Sequence, residues 1–273
     1  MTIMVVFSVT CLPKAKVICT LGRMTETGFG IDIGGSGIKG ARVNLKTGEF
    51  IDERIKIDTP KPATPEAIAE VVAEIIKQAE WKGPVGITVP SVVRGQVALS
   101  AANIDKSWIN TDVAQLFQQY LPNREFTVLN DADAAGIAEA AFGTPDAREG
   151  AVILLTLGTG IGSAFLMNGQ LFPNTELGHL IVDGEEAEHL ASAAVKEEED
   201  LSWKKWTKRL NKVLREYEKL FSPSAFIIGG GISRKYEKWQ PLIDIDTPVT
   251  PADLRNRAGI VGAAMAMEQH LAP

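Results

Sequence analysis

The sequence is poor in cysteine. Of its 273 residues only Cys11 and Cys19 carry thiols, and both lie near the amino terminus. A disulfide framework and a cysteine-bound zinc site are therefore excluded from the rest of the chain. Low cysteine content is typical of proteins of the reducing cytoplasm, so we predict a cytoplasmic protein without structural zinc.

Long apolar segments and excess positive charge are also missing. No apolar run approaches the roughly 20 residues that a membrane-spanning helix needs, and the apolar start lacks the basic residues of a signal peptide. The net charge of −6 is unfavourable for a general nucleic-acid binder, although it allows a local basic groove. We therefore expect neither a membrane nor a nucleic acid as partner.

The composition that remains, with 45% hydrophobic and 23% charged residues, suits a protein with a substantial core. Residues 1–27 are unlike the rest of the chain and precede the first convincing strand pattern, so we predict them to be an extension. Within it residues 1–23 are predicted to be dispensable, because Met24 would be an ordinary protein start.

Strand and helix patterns alternate along the chain, which is typical of an α/β protein. The strands are predicted at 29–33, 39–44, 50–57, 85–89, 126–129, 151–157, 163–167 and 225–228. The helices are predicted at 65–81, 132–142, 187–220 with an interruption near Asp200, and 257–270. The first helix has Thr64 as a cap and Pro65 at its first position.

Residues 32–41 and 156–164 resemble each other, because both run from a strand through a glycine loop into a second strand. Two copies of one supersecondary unit predict a duplicated domain with a cleft between its halves. Glycine loops let backbone N–H groups approach an anion. A single loop is as well explained as a tight turn, and neither has Walker or Rossmann spacing. Two matched loops are more specific, since they can hold successive phosphates of one donor.

Asn130 and Asp131 follow a predicted strand and open a predicted helix. An acidic residue there can cap the helix or favour its dipole, and Asp133 suits that structural role as well as Asp131 does. A carboxylate at the carboxyl end of a strand also faces the ligand crevice of an α/β domain. In phosphoryl transfer it would accept the proton of the attacking hydroxyl.

Two further clusters are rich in polar side chains. Residues 103–108 (NIDKSW) lie in a stretch that is too irregular for a core element. Their amide and acidic groups suit the vicinal hydroxyls of a sugar, and a loop cap explains them almost as well. Residues 176–179 (ELGH) follow the second glycine loop, but a lone histidine is more often structural.

Together the motifs resemble those of the ROK sugar kinases, over most of the chain from about residue 28 to residue 266. The motifs in order are DIGGSGIK at 32–39, NIDKSW at 103–108, NDAD at 130–133, LGTG at 157–160, ELGH at 176–179 and IGGG at 228–231. Within the family the pattern is most similar to the polyphosphate-dependent glucokinases. Many ROK proteins add a cysteine cluster for zinc after the ELGH-like motif, whereas residues 180–190 contain no cysteine.

The resemblance implies an α/β chain of the actin-like, hexokinase-like fold, in which two ribonuclease-H-like domains close on the sugar across an interdomain cleft. We expect a small domain at 28–129 and a large domain at 130–273, with the last helix packing back on the small one. A homodimer is the assembly that the family implies.

The resemblance also implies a role for each motif. Asp131 would be the catalytic base on the glucose 6-hydroxyl, and Asp32 would organise Mg²⁺ through water. The sugar would be held by Asn103, Asn130, Asp131, Glu176, His179 and Glu188. The donor phosphates would be held by Gly34, Gly35, Ser36, Gly37, Lys39, Gly158, Thr159, Gly160, Gly229 and Gly230.

A basic stretch follows at 202–211. At helical spacing Trp203, Trp206 and Leu210 share one face and are predicted to be packing residues. The lysines on another face are either a solvated surface, balanced by nearby acidic residues, or a track for a polyanion. The track would comprise Lys204, Lys205, Lys208, Arg234 and Lys235.

The predicted function is phosphorylation of glucose at its 6-hydroxyl, with inorganic polyphosphate as donor, ATP as an additional donor and Mg²⁺ as cofactor. The alternatives are a strictly ATP-dependent glucokinase, a kinase for another hexose, and a non-catalytic sugar-binding regulator. A family repressor would need a helix-turn-helix, for which the residues before Gly28 offer no room.

Overall fold

A computed structural model describes residues 26–102, 104–269 and 271. Most of the predicted extension, with both cysteines, lies outside these residues, so its dispensability stays a prediction. Asn103, predicted to hold the sugar, also lies outside them. Among the described residues, no helix combines the length and the apolar character needed to cross a membrane.

Strands and helices alternate as predicted. The strands are β1 (Thr27–Gly34), β2 (Gly37–Asn44), β3 (Ile55–Ile57), β4 (Val85–Val89), β5 (Val93–Arg94), β6 (Val97–Ala98), β7 (Thr111–Asp112), β8 (Phe126–Asn130), β9 (Ala151–Leu157), β10 (Ile161–Met167), β11 (Gln170–Phe172), β12 (Ile181–Val182), β13 (Glu185–Glu186), β14 (Ala225–Gly229) and β15 (Val249–Pro251). The helices are α1 (Pro65–Gln78), α2 (Val113–Tyr120), α3 (Asp131–Phe142), α4 (Ala187–Ala191), α5 (Ala193–Glu198), α6 (Trp203–Phe221), α7 (Tyr236–Trp239) and α8 (Ala258–Glu268).

Two five-stranded sheets share one topology. The first has the strand order β3-β2-β1-β4-β8 and the second β11-β10-β9-β14-β15. In each sheet the first three strands along the chain pair antiparallel, and a glycine loop joins the first two. The last two strands add in parallel on the other side of the first strand. The internal repeat in the sequence is therefore a repeat of the whole sheet.

Local chemistry explains where the predicted elements begin and end. The hydroxyl of Thr64 accepts the N–H of Ala67, so α1 begins at Pro65 as predicted. Its end at Gln78 comes earlier than predicted, because Glu80 adopts a left-handed φ of 51° that a helix does not allow. The predicted strand at 50–57 is shortened to β3, with a single bridge between Phe50 and Val43.

The predicted helix at 187–220 is divided into three helices. The first break is at Ser192, whose hydroxyl accepts the N–H of Val195 and so caps α5. The second is at the predicted position, where Asp200 has a left-handed φ of 46°. Ser202 then caps α6. Trp206 and Leu210 are fully buried in the core of the second sheet, which confirms the predicted packing face.

Helix α8 packs directly on the first sheet. A Cβ added at Gly30 in β1 would lie 1.9 Å from the carbonyl oxygen of Ile260, and one at Gly86 in β4 would lie 1.8 Å from that of Ala263. Only glycine permits this approach of helix backbone to strand backbone. The same helix packs on α3, where a Cβ added at Gly262 would lie 1.8 Å from the carbonyl oxygen of Ala134.

Candidate active site

Asp131 is the first residue of α3 and directly follows β8. Helix α3 starts here because the carboxamide oxygen of Asn130 accepts the N–H groups of Ala132, at 2.8 Å, and Asp133, at 3.1 Å. The Asp131 carboxylate is fixed by the same turn, since its Oδ1 accepts the N–H of Ala132 at 2.9 Å. It is half-buried and faces the neighbouring acidic groups.

Those acidic groups change the proton affinity of Asp131. Burial raises the pKa of its carboxyl to about 7, and the negative charges of Asp32 and Glu176 add to the increase. The pKa of the fully buried Asp133 is also raised to about 7, mainly by burial. A carboxyl group whose pKa lies near neutrality is suited to accept a proton in a reaction at physiological pH.

Asp32 lies near the end of β1 and is held by two neighbouring strands. Lys39 of β2 approaches its Oδ2 at 3.4 Å, and the Thr88 hydroxyl of β4 donates to its Oδ1 at 3.2 Å. A Cβ on Gly259, near the start of α8, would come within 3.0 Å of the same carboxylate. Because both oxygens already have partners, the geometry suits indirect contact with a cation, through water.

Glu176 directly precedes the 3₁₀ turn Leu177–His179, His179 ends it, and the turn is tied to β10. The Ser163 hydroxyl donates to the carbonyl of Thr175 at 2.7 Å and accepts the N–H of Leu177 at 3.0 Å. Glu176 is therefore held between two anchored residues. Burial raises the pKa of its carboxyl above the ordinary range.

Glu188 connects the predicted sugar residues to the second glycine loop. Its Oε2 accepts the N–H of Ile161 at 3.2 Å, directly after that loop, and a Cβ added at Gly160 would lie 2.3 Å from the same oxygen. Its Oε1 lies 4.0 Å from Nδ1 of His179. One carboxylate therefore contacts both the predicted sugar side and the predicted donor side.

His179 forms its shortest contact with a residue that the sequence did not point to. Its Nδ1 lies 2.8 Å from Oε2 of Glu186, a hydrogen bond that raises the pKa of the imidazole. His179, Glu186 and Glu188 each offer a ligand atom, and these atoms lie within 4.8 Å of one another. Such a group could hold a divalent ion. The short hairpin β12–β13 folds the chain back on itself, and this brings Glu186 beside His179.

The two glycine loops occupy equivalent places in the two sheets. Gly35 and Ser36 form an exposed turn between Gly34 and Gly37, the last residue of β1 and the first of β2. In the second sheet β9 and β10 are joined by Gly158, Thr159 and Gly160, of which the first two are exposed. Both loops present backbone to solvent.

The third glycine cluster lies beside the second loop. Gly230 follows β14 with φ 81°, and a Cβ there would lie 2.3 Å from the carbonyl oxygen of Leu157. The exposed side chains of Arg234 and Lys235 follow within the 3₁₀ turn Gly231–Lys235. On α6, Lys204, Lys205 and Lys208 are likewise exposed.

The polar cluster at 103–108 is only partly described. The Asp105 carboxylate accepts the N–H of Ser107 at 2.8 Å and so caps the 3₁₀ turn Lys106–Trp108. Trp108 is fully buried, although the irregular sequence here indicated a segment outside the core. That expectation was wrong because the indole N–H finds a partner in the carbonyl of Ala63, at 3.0 Å, and can therefore be buried.

Comparison with known proteins places this arrangement in a family. Residues 28–192 match the ROK family. The chain is 54% identical over 248 residues to the polyphosphate glucokinase of Mycobacterium tuberculosis (strain CDC 1551 / Oshkosh), covering 90% of this chain and 94% of the relative. It is 51% identical over 254 residues to the polyphosphate glucokinase of Mycobacterium leprae (strain TN), covering 93% of this chain and 78% of the relative.

Solved structures agree in fold. The inorganic polyphosphate/ATP-glucomannokinase from Arthrobacter sp. strain KM superposes with a TM-score of 0.85 at 47% identity, covering 90% of this chain and 100% of that one. A ROK family glucokinase from Streptomyces griseus, in complex with glucose and AMPPNP, shares the fold with a TM-score of 0.74 at 24% identity. The actin-like, hexokinase-like α/β fold predicted from the motifs is thus confirmed, and the chain belongs to the ROK family.

Proposed function

We propose that the protein transfers a phosphoryl group from inorganic polyphosphate to the 6-hydroxyl of glucose. The observation that carries this proposal is Asp131, a carboxyl fixed at the start of α3 whose pKa is raised to about 7, in a fold with two equivalent glycine loops. The curated relatives that share 54% and 51% identity with the chain are polyphosphate glucokinases. The predicted activity and enzyme class agree with these relatives.

The residues suggest how the reaction proceeds. The Asp131 carboxylate accepts the proton of the glucose 6-hydroxyl as O6 forms a bond to the terminal phosphorus of the donor. The bridging P–O bond behind that phosphorus breaks, and the donor leaves one phosphate shorter. Backbone N–H groups of the loops at 34–37 and 158–160 hold the donor phosphates in line.

A magnesium ion fits this arrangement. The charge of Asp32 raises the pKa of Asp131, so negative charge accumulates where a divalent cation would offset it. Asp32 would hold Mg²⁺ through water, and the ion would neutralise charge on the donor phosphates.

The roles of the remaining residues are proposals of the same kind. Glu176, His179 and Glu188 would hold sugar hydroxyls, together with Asn103, which lies outside the described residues. The carboxamide oxygen of Asn130 already caps α3, and its N–H group donates to the carbonyl of Ser91 at 3.2 Å. A sugar hydroxyl bound by Asn130 would have to share these groups.

The donor track is supported by a chain of contacts from the second glycine loop to α6. Gly230 approaches Leu157 at the base of that loop, and the Trp239 indole donates to the carbonyl of Ile232 at 3.3 Å. Trp239 packs edge-on against Trp206 of α6, with ring centroids 5.8 Å apart. Polyphosphate leaving the loop could therefore pass Arg234 and Lys235 and continue to Lys204, Lys205 and Lys208. We also expect the reaction to occur in the cytoplasm, with the protein acting as a homodimer.

The test is glucose phosphorylation by purified protein with Mg²⁺ and either polyphosphate or ATP as the sole donor. We expect glucose 6-phosphate to form with polyphosphate, and more slowly with ATP. Mannose belongs in the same assay, because the Arthrobacter relative is described as a glucomannokinase. Turnover with ATP alone would favour a strictly ATP-dependent glucokinase, and no turnover with either donor would favour a sugar-binding regulator.

A further inference from the structure

The buried carboxyl of Asp133 takes no part in the proposed reaction, although it lies two residues after Asp131. Its side chain is fully buried in the first turn of α3. Its Oδ2 accepts the backbone N–H of Asn174 at 2.8 Å, whereas its Oδ1 has no hydrogen-bond partner among the described residues. Burial of a carboxyl with one unpartnered oxygen costs free energy of folding, and the hydrogen bond from Asn174 is the side-chain contact among the described residues that offsets this cost.

The residue that Asp133 holds is itself a bridge. Asn174 adopts a left-handed φ of 59°, and its carboxamide accepts the N–H of Val93 at 3.0 Å and donates to the carbonyl of Val93 at 2.7 Å. It thus pairs with β5 as a neighbouring strand would. The two residues lie 81 positions apart in the chain.

Each end of this bridge leads to one side of the proposed sugar site. Asn174 is two residues before Glu176, in the segment that Ser163 anchors to β10. Val93 begins the β5–β6 hairpin, from which the chain continues to Asn103 and Asp105. The Asp133–Asn174–Val93 contacts therefore join the segment before Glu176 to the β5–β6 hairpin, and fasten both to the helix that carries Asp131.

We propose that Asp133 and Asn174 are positioning residues that set the spacing of the sugar site, and we call the contacts Asp133–Asn174–Val93 the sugar clamp. This inference rests on the proposed function. If Asn174 is lost, the buried N–H and C=O of Val93 remain unpaired, and the hairpin must shift to satisfy them. A shift of that kind weakens sugar binding without touching the donor loops.

The experiment compares Asn174→Ala with Asn211→Ala. Asn211 is buried, whereas Asn174 is half-buried, and the Asn211 carboxamide likewise bridges two backbone groups: it donates to the carbonyl of Leu242 at 3.0 Å and accepts the N–H of Asp244 at 3.2 Å. The two variants therefore lose the same kind of paired contact. Glucose KM and polyphosphate KM are measured for each, together with glucose Kd by calorimetry and Tm.

We expect Asn174→Ala to raise glucose KM and Kd on the order of tenfold, with polyphosphate KM changed less than about twofold, because none of the hydrogen bonds of the clamp reaches a glycine loop. Asn211→Ala should leave both KM values near wild type, and its Tm should fall less than that of Asn174→Ala, because Ala is strained at the left-handed φ of position 174. Asp133→Asn should retain the wild-type glucose KM, since an amide oxygen can still accept the Asn174 N–H, whereas Asp133→Ala should follow Asn174→Ala.

The clamp is overturned if the glucose Kd of Asn174→Ala changes no more than that of Asn211→Ala. It is also overturned if Asn174→Ala raises the KM for glucose and the KM for polyphosphate equally. If Asp133→Ala does not fold, the comparison of Asn174→Ala with Asn211→Ala decides alone. If the wild-type protein binds glucose without phosphorylating it, the proposed function is contradicted. The clamp is then tested by the glucose Kd values of Asn174→Ala and Asn211→Ala. A wild-type protein that binds no glucose would overturn both.

Discussion

At the residue scale, the reactivity of Asp131 comes from conflicting demands on one carboxyl group. The start of α3 favours a negative charge there, because the helix dipole and the N–H of Ala132 stabilise it. Burial and the charges of Asp32 and Glu176 oppose that charge and prevail, since the pKa rises to about 7. The same balance makes the group basic enough to take a proton.

Replacing Asp131 by Asn should remove turnover while leaving the fold intact. The amide has the size of the carboxyl but cannot accept a proton, and loss of a general base typically lowers kcat by about 10²–10⁴-fold. Glucose Kd should change little. The matched control is Asp112→Asn, at the N-cap of α2, where Asn caps as well as Asp does. Near-wild-type kcat in Asp131→Asn would assign the base to another residue.

The pH dependence follows from the sign of the pKa shift. Because Asp131 acts as a carboxylate, kcat/KM should rise as pH increases through about 7 and then level off. A raised folded-state pKa also means that this group stabilises the fold below the unfolded pKa, near 4, and loses that contribution as pH rises through about 7. In the presence of EDTA, Asp131→Asn should therefore have a higher Tm than wild type at pH 8, and the difference should shrink toward pH 4. A pH-independent difference would contradict this account.

At the element scale, α8 packs on the first sheet and on α3 through close backbone contact, and a single methyl group should disrupt this packing. Gly86→Ala would place a Cβ 1.8 Å from the carbonyl oxygen of Ala263. Overpacking of this kind costs about 1–3 kcal/mol or more, so the midpoint of urea unfolding should fall. Gly231→Ala is the control, because its added Cβ meets no atom within 4 Å and its φ is not positive. Equal stability of the two variants would show that α8 does not pack here.

The basic face of α6 gives the second prediction at this scale. Reversing the charge of Lys204, Lys205 and Lys208 should raise KM for long polyphosphate several-fold and change KM for ATP little, because ATP is too short to reach the helix. Rising salt should weaken polyphosphate use more steeply in wild type than in the variant. Lys219→Glu, near the carboxyl end of the same helix and already 3.1 Å from Glu216, is the control. Unchanged polyphosphate kinetics would mean that this face is simply solvated.

At the scale of the whole molecule, the chain should depend on magnesium and contain no zinc. EDTA should abolish activity and Mg²⁺ alone should restore it, because thiolate ligands are missing from residues 180–190. His179, Glu186 and Glu188 offer a possible alternative ligand group, so elemental analysis of the purified protein is the measurement. Stoichiometric zinc that disappears in His179→Ala would contradict the prediction.

Much of this molecule could be predicted from its sequence. The duplicated glycine hairpins and the caps at Thr64 and Asn130 depend on contacts between neighbours in the chain, so local patterns report them directly. The packing face of α6 is visible in the sequence because its apolar residues recur at helical spacing. Family membership followed from the order of short motifs. Each of these features is set within a few residues, where steric and hydrogen-bond preferences act without the rest of the fold.

Other features were decided only by the tertiary structure. The pairing of Asp133 with Asn174, and of Asn174 with Val93, joins residues 41 and 81 positions apart, which no local pattern encodes. The burial of Trp108 likewise depends on a distant partner, the carbonyl of Ala63. The raised pKa of Asp131 has the same origin, because desolvation and long-range charge exist only once three distant segments enclose the group.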